Sequence, residues 1–211
     1  LSSFYAINDA ERTQQRGTIA AEGRDYPAPI KHAETLRIGV NVALEQYNDA
    51  ELEARLADLA AQGVQYVRQE FRWADLEPVK GQYAWALPDR LFQALQKHRL
   101  QVLPVILSTP EWARRPTGNP ASKPIDSMPP VEAVDYGYFV GAFAKRYDPS
   151  GLILGYQIWD EPNLSAAWGN GLVNPWDYHH MLRAASGQIR AVNPSARVIL
   201  AALAPTVEHS N

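Results

Sequence analysis

Five short apolar runs recur along this chain, each separated from the next by a segment with helical periodicity. They are residues 37–43 (RIGVNVA), 64–71 (VQYVRQEF), 101–107 (QVLPVIL), 152–158 (LILGYQI) and 197–203 (RVILAAL). Runs of this length, rich in β-branched residues, read as strands covered on both faces. Between the first two, Asp49 is placed to cap a helix in which Leu52, Leu56, Leu59 and Ala60 recur at helical spacing before Gly63 stops it. Residues 88–98 put Leu91, Phe92 and Leu95 on one helical face, and 131–147 do the same with Val134, Tyr138, Phe139 and Phe143. A fourth helix, 175–192, opens with Asn174 as cap and Pro175 at its first position. A βα unit repeated four times and followed by a strand predicts an α/β fold with a parallel sheet under a helical cover.

Two architectures fit that order, a doubly wound open sheet and a (β/α) barrel. The first strand is followed by no Gly-x-Gly-x-x-Gly; Gly39-Val40-Asn41-Val42-Ala43 stands there instead, which argues against a dinucleotide site. The longest loops, and nearly all of the six tryptophans, follow the C-terminal ends of strands two, three and four. Barrels place their active sites at that end.

The charge balance excludes several function classes. A net charge of -3 leaves no basic stripe for nucleic acid and no lysine-rich helix for a membrane surface. No apolar run approaches the roughly 20 residues that span a bilayer, so no transmembrane segment is expected in this chain. The absence of cysteine removes disulfides, thiolate zinc sites and cysteine nucleophiles together. His179-His180 sits on the fourth helix with no third ligand at suitable spacing, so neither a metal site nor a cofactor is expected. Residues 1–35 are polar and carry Tyr26-Pro27-Ala28-Pro29 near their end, which reads as an N-terminal arm or linker before a single domain at 36–211. The chain begins at Leu1, so an upstream segment is expected to have been removed; a cleaved signal or anchor is one candidate, and export is the expected destination.

The residues that point to chemistry are Trp159-Asp160-Glu161-Pro162-Asn163, directly after the fourth apolar run. A carboxylate ending a buried strand is held by rigid backbone at the rim of a sheet, within a substrate's reach. Pro162 cannot continue a ladder and biases Glu161 away from helical geometry, so the chain turns just after the acid. This is the local arrangement of a proton donor.

These residues carry a family resemblance. Val67-Arg68-Gln69-Glu70-Phe71-Arg72-Trp73, then Glu77-Pro78, Gly81-Gln82-Tyr83 and Asp89-Arg90-Leu91, resembles the second strand and loop of clan A glycoside hydrolases. Leu103-Pro104-Val105 with Thr109-Pro110-Glu111-Trp112 resembles their third strand, in particular that of the family 39 group. Trp159-Asp160-Glu161-Pro162-Asn163 resembles the fourth strand end, whose Glu is the acid/base. The resemblance spans roughly residues 36–206. It implies a (β/α)8 TIM barrel, represented here by its first five strands and four helices, and a retaining glycosidase in which Glu161 is the catalytic acid/base. Arg68, Asp160, Trp73, Trp112 and Trp168 are then candidates for binding a carbohydrate, the tryptophans because aromatic faces stack on sugar rings. The nucleophile of the clan lies on strand seven; Glu70, Glu111 and Glu208 follow other strands, so it is expected beyond residue 211.

One departure concerns Asp160, where the clan pattern has Asn: an amide can donate to a sugar hydroxyl, whereas an ionised carboxylate only accepts. The alternative function is a non-catalytic carbohydrate-binding or structural subunit of a larger assembly. Other readings stay open residue by residue. Arg68 is equally suited to pair with Glu70 or Asp160, the tryptophans to pack the barrel rim, and Asn41 to cap a loop. A barrel cut after strand five would expose two edges and its interior residues, taken as Val40, Val105, Ile158 and Leu200. The open side is expected to be covered by further residues of the same protein or by another subunit.

Overall fold

The computed structural model describes residues 37–115 and 125–206, all within one compact unit, Arg37–Asn211. The expected arm at 1–35, and Glu208, lie outside the described residues. Strands β1 (Gly39–Val42), β2 (Tyr66–Arg72), β3 (Gln101–Leu107), β4 (Tyr156–Ile158) and β5 (Val198–Ile199) form one sheet in the order 1-2-3-4-5. Every neighbouring pair is parallel. A doubly wound sheet reverses its strand order partway; this one advances one strand at a time, as the wall of a (β/α) barrel does. Helices α1 (Asp49–Ala61), α2 (Ala86–Lys97), α3 (Ala133–Tyr147) and α4 (Pro175–Val192) connect the strands. The fold is therefore α/β: the described residues form five strands, joined by these four helices, of a TIM barrel.

Helix starts follow local chemistry. Asn48, not Asp49, caps α1: its Oδ1 accepts from Glu51 N at 3.0 Å while Glu51 Oε2 accepts from Asn48 N at 3.1 Å, a reciprocal capping box. Helix α4 starts as expected, with Asn174 Oδ1 accepting from Trp176 N at 3.0 Å. In α3 the buried stripe is Tyr136, Phe139, Val140, Phe143 and Tyr147, whereas Val134 and Tyr138 face solvent, contrary to expectation. Phe139 and Phe143 already fix the inward side, and the helical rotation carries residue 138 away from it. The β4 ladder is shorter than the apolar run, because Ile153 meets β3 only through an isolated bridge to Val102.

Register decides which side chains face inward. Asn41 aligns with Arg68, Glu70 with Val105, Val105 with Gln157, and Gln157 with Ile199. These positions share the inner face of the sheet. The alternate set, including Val67, Phe71, Val102, Ile106, Tyr156 and Ile158, belongs to the core shared with the helices, and Val40 and Val198 pack against it. Of the four residues expected inside the barrel only Val105 is there; Val40, Ile158 and Leu200 are one residue out of phase and face the helical layer. Leu200 is exposed on that side. The inner wall is thus largely polar, and the apolar core lies between sheet and helices. There Phe71, Phe92, Phe143 and Tyr147 pack with centroids 4.2–6.2 Å apart.

Candidate functional site

Past Ile158 the backbone leaves strand geometry abruptly. Trp159 and Glu161 both adopt left-handed conformations, with φ of 66° and 47°. For residues with a Cβ this costs of the order of 1–3 kcal/mol each and persists only where the surroundings over-determine it. They do so here: Trp159 N donates to Ile106 O at 2.9 Å, Glu161 N to Ala202 O at 3.0 Å, and Gln157 Nε2 to Trp159 O at 2.9 Å. The Trp159 ring is buried, its Nε1 donating to Ala167 O, with Tyr136 and Trp168 edge-on to it at 5.9 and 5.8 Å. Leu164 N closes the turn onto Glu161 O. Glu161 itself is partly exposed, and among the described residues no group donates to its carboxyl. A carboxyl held on a fixed backbone with its oxygens free is available for proton transfer to a bound molecule.

Asp160, next to it, is tied to the inner wall. Arg68 Nη2 reaches Asp160 Oδ1 at 2.8 Å, and Gln157 Nε2 reaches the same oxygen at 2.9 Å. Arg68 Nε also donates to Gln157 Oε1 at 3.0 Å, and Arg68 Nη1 to Asn41 Oδ1 at 3.3 Å. One connected lattice therefore runs from β1 through β2 and β4 to the residue before Glu161. Of the open readings of Arg68, pairing with Asp160 is the one realised. Asn41 binds this arginine, and among the described residues it caps no loop. Glu70, one step along the inner face of β2, is exposed at its surface, yet its carboxyl is pushed above the usual range, first by desolvation against the wall and then by the charge of Asp160, with Arg68 and Arg72 opposing. Gln157 escaped the sequence reading because a buried glutamine inside an apolar run carries no signal; only its inner-face register makes it informative.

The candidate sugar-binding tryptophans are placed differently. Trp73 is fully buried, stacked on Phe139 at 5.7 Å, edge-on to Trp112 at 5.4 Å, with Nε1 donating to Glu77 Oε2 at 2.6 Å. It presents no face to a ligand, which corrects its assignment to substrate binding: Trp73 opens the turn after β2 and is drawn into the apolar core. Glu77 also accepts from Gly81 N at 2.7 Å, so the Glu77-Pro78…Gly81 signature pins this loop. Trp112 is partly buried, donates to Glu77 O at 2.9 Å, and has Lys80 Nζ 5.0 Å over its ring. Trp168 is 3% exposed and lines, with Met181, Arg115 and Leu172, a cleft of about 730 Å³ that none of Arg68, Asp160 and Glu161 borders. Arg72 pairs with Asp126 and, at 3.2 Å, with Asp75. Among the described residues no group of three or more His, Asp or Glu side chains could hold a metal ion, and no helix is long and apolar enough to cross a membrane.

Comparison with known proteins agrees with this architecture. A family model described as beta-galactosidase, glycoside hydrolase family 42, matches residues 42–135, a stretch that includes Arg68 and Trp112 and stops before Asp160 and Glu161. No curated protein matches the chain. Among solved structures, a family 39 glycoside hydrolase from Bacteroides cellulosilyticus WH2 is 23% identical, with a TM-score of 0.58 over 77% of this chain and 31% of its own. The GH39 beta-xylosidase from Caulobacter crescentus is 20% identical, with a TM-score of 0.60 over 83% of this chain and 41% of its own. An exo-beta-1,4-mannosidase from Opitutaceae bacterium strain TAV5 is also 20% identical, with a TM-score of 0.59 over 78% of this chain and 31% of its own. The chain thus spans well under half of these three relatives. It has the fold of the N-terminal portion of a clan A glycoside hydrolase barrel.

Proposed function

We propose that this chain carries the acid/base half of a retaining glycoside hydrolase, acting on O-glycosidic bonds of a carbohydrate. The observation that supports the reading best is Glu161: a carboxyl without a partner among the described residues, fixed in a left-handed conformation at the C-terminal end of β4. In this reading Glu161 protonates the departing glycosidic oxygen and then takes a proton from the attacking water. A second carboxylate, on a part of the barrel that these 211 residues do not include, forms and releases the glycosyl-enzyme. Arg68 and Gln157 hold Asp160 beside the acid, which keeps this rim in one geometry. The beta-galactosidase description of the matching family model, and the xylosidase and mannosidase among its structural neighbours, favour a glycoside as substrate.

The test is the stereochemistry of hydrolysis by a form of the protein with a complete barrel, followed by proton NMR. The first-formed sugar should keep the anomeric configuration of the substrate, and Glu161→Gln should abolish its formation from alkyl glycosides. Inversion of configuration would contradict the two-carboxylate assignment. A complete barrel that binds sugar without turning it over would favour the non-catalytic alternative.

A further inference from the structure

The β4–β5 ladder ends with Gln157 paired to Ile199, and Pro162 brings no N–H with which to resume it. The two segments stay joined through contacts placed on either side of Glu161. On the near side the Tyr178 hydroxyl, from α4, donates to Ile158 O at 3.0 Å and accepts from Ala201 N at 2.7 Å. Glu161 N itself reaches Ala202 O at 3.0 Å. On the far side the Asn163 side chain takes both backbone groups of one residue: Nδ2 donates to Ala204 O at 2.8 Å, and Oδ1 accepts from Ala204 N at 3.0 Å. A side-chain amide can do this because it carries one oxygen that accepts and one nitrogen that donates. Asn163 thereby replaces the strand pairing that Pro162 interrupts.

The consequence falls on Glu161. Its backbone is left-handed, with φ of 47°, a conformation that a residue with a Cβ keeps only where its surroundings impose it. The bond from Glu161 N to Ala202 O imposes it only if residues 201–204 are themselves fixed, and Tyr178 and Asn163 grip that segment on either side of Ala202. Resting on the glycosidase reading, we propose that Asn163 is a positioning residue for the proton donor. It acts through Ala204 rather than on the substrate, and by clamping that residue it keeps the Glu161 carboxyl in line with the departing oxygen. Pro162 stands between clamp and acid with its own φ fixed by the ring, so a shift of Asn163 passes to Glu161 instead of being absorbed. A misplacement of about 1 Å is enough to cost about 100-fold in rate.

The experiment compares alkyl glycosides with glycosides of strongly acidic phenols in a form of the protein with a complete barrel, for Asn163→Ala beside Glu161→Ala. Only the alkyl substrates need a proton to depart. Asn163→Ala should lower kcat on alkyl glycosides by about 10- to 100-fold, with KM nearly unchanged, and lower it much less on the activated ones; a loss of folded protein lowers both equally. Asn163→Asp supplies a second readout. Ionised, it accepts from Ala204 N but sets a carboxylate oxygen against Ala204 O; protonated, it donates there and restores both bonds. Its activity relative to the unmodified protein should therefore climb as pH falls from about 7 to about 4. Should Asn163→Ala fold poorly, this pH dependence decides by itself. Equal losses on the two substrate classes, no loss at all, or an Asn163→Asp profile parallel to that of the unmodified protein overturns the proposal, while a substrate split in Glu161→Ala leaves the glycosidase reading standing. Equal losses in Glu161→Ala overturn that reading and the proposal with it.

Discussion

Arg68, on β2, and Asp160, beyond the end of β4, meet at 2.8 Å with β3 between their strands. The contact is possible because both belong to the inner face, where consecutive strands bring alternate residues into one layer. Gln157 completes it, bonded to both partners. The lattice restrains the turn that carries Glu161 as well as stabilising the sheet.

Removing the cation should therefore cost stability and precision together. Arg68→Leu leaves a partly buried carboxylate facing only Gln157, and should lower the unfolding free energy by about 1–3 kcal/mol, between the values for exposed and buried pairs. Urea denaturation of the 211-residue chain checks this. A loss below about 0.5 kcal/mol would show that the pair contributes no more than a surface ion pair.

Glu70 gives a pH dependence of definite sign. Its carboxyl is raised in the folded chain by desolvation first and by Asp160 second, so the fold binds its proton more tightly than the unfolded chain does. The stability it contributes is full below the ordinary glutamate range and is lost as pH rises through its folded value. Glu70→Gln should consequently stabilise the chain at pH 7, and the advantage should shrink as pH falls below that range. Thermal melts of both forms across pH 4–8 would measure it. An advantage that grows toward acid pH would reverse the sign and refute the cause.

Trp73 separates packing from binding. Its ring is enclosed by Trp112, Tyr136 and Phe139. Trp73→Ala should cost about 3–5 kcal/mol, as truncation of large buried aromatics does. Trp73→Phe, which keeps most of the packing, should leave the affinity for sugars unchanged in a binding titration of a form of the protein with a complete barrel. A selective loss of sugar binding in Trp73→Phe, with the melting temperature retained, would return this residue to the ligand site.

Much of the architecture is legible in the sequence because periodicity reports burial. The spans of β3 and α4, the cap at Asn174 and the βα alternation all follow from apolar spacing and cap chemistry. What escapes is phase and context. Apolar runs covered on both sides do not announce which residues face inward, so Val40, Ile158 and Leu200 read as interior until the register shows Asn41, Arg68, Glu70 and Gln157 there instead. Asp49 and Asn48 are both good caps, and the reciprocal bond to Glu51 selects Asn48. The left-handed turns at Trp159 and Glu161 are set by tertiary hydrogen bonds from β3 and the segment after β5, which no local signal records. Trp73 and Trp168 read as sugar platforms because they follow strand ends, yet both are buried.

The 211-residue chain alone should hydrolyse no aryl glycoside, because a covalent mechanism deprived of its second carboxylate loses the step that forms the intermediate. An assay over a panel of aryl glycosides tests this. Turnover that disappears in Glu161→Gln would mean that a nucleophile stands within these residues.

The central claim, that Glu161 is the acid/base, is tested most directly by the leaving-group dependence of Glu161→Ala in a form of the protein with a complete barrel. Only substrates with poor leaving groups need a proton to depart, and positioned general acids contribute about 10²–10⁴-fold. The account predicts a loss of kcat/KM of that size on alkyl glycosides and a much smaller one on glycosides of strongly acidic phenols. Equal losses on both would contradict it.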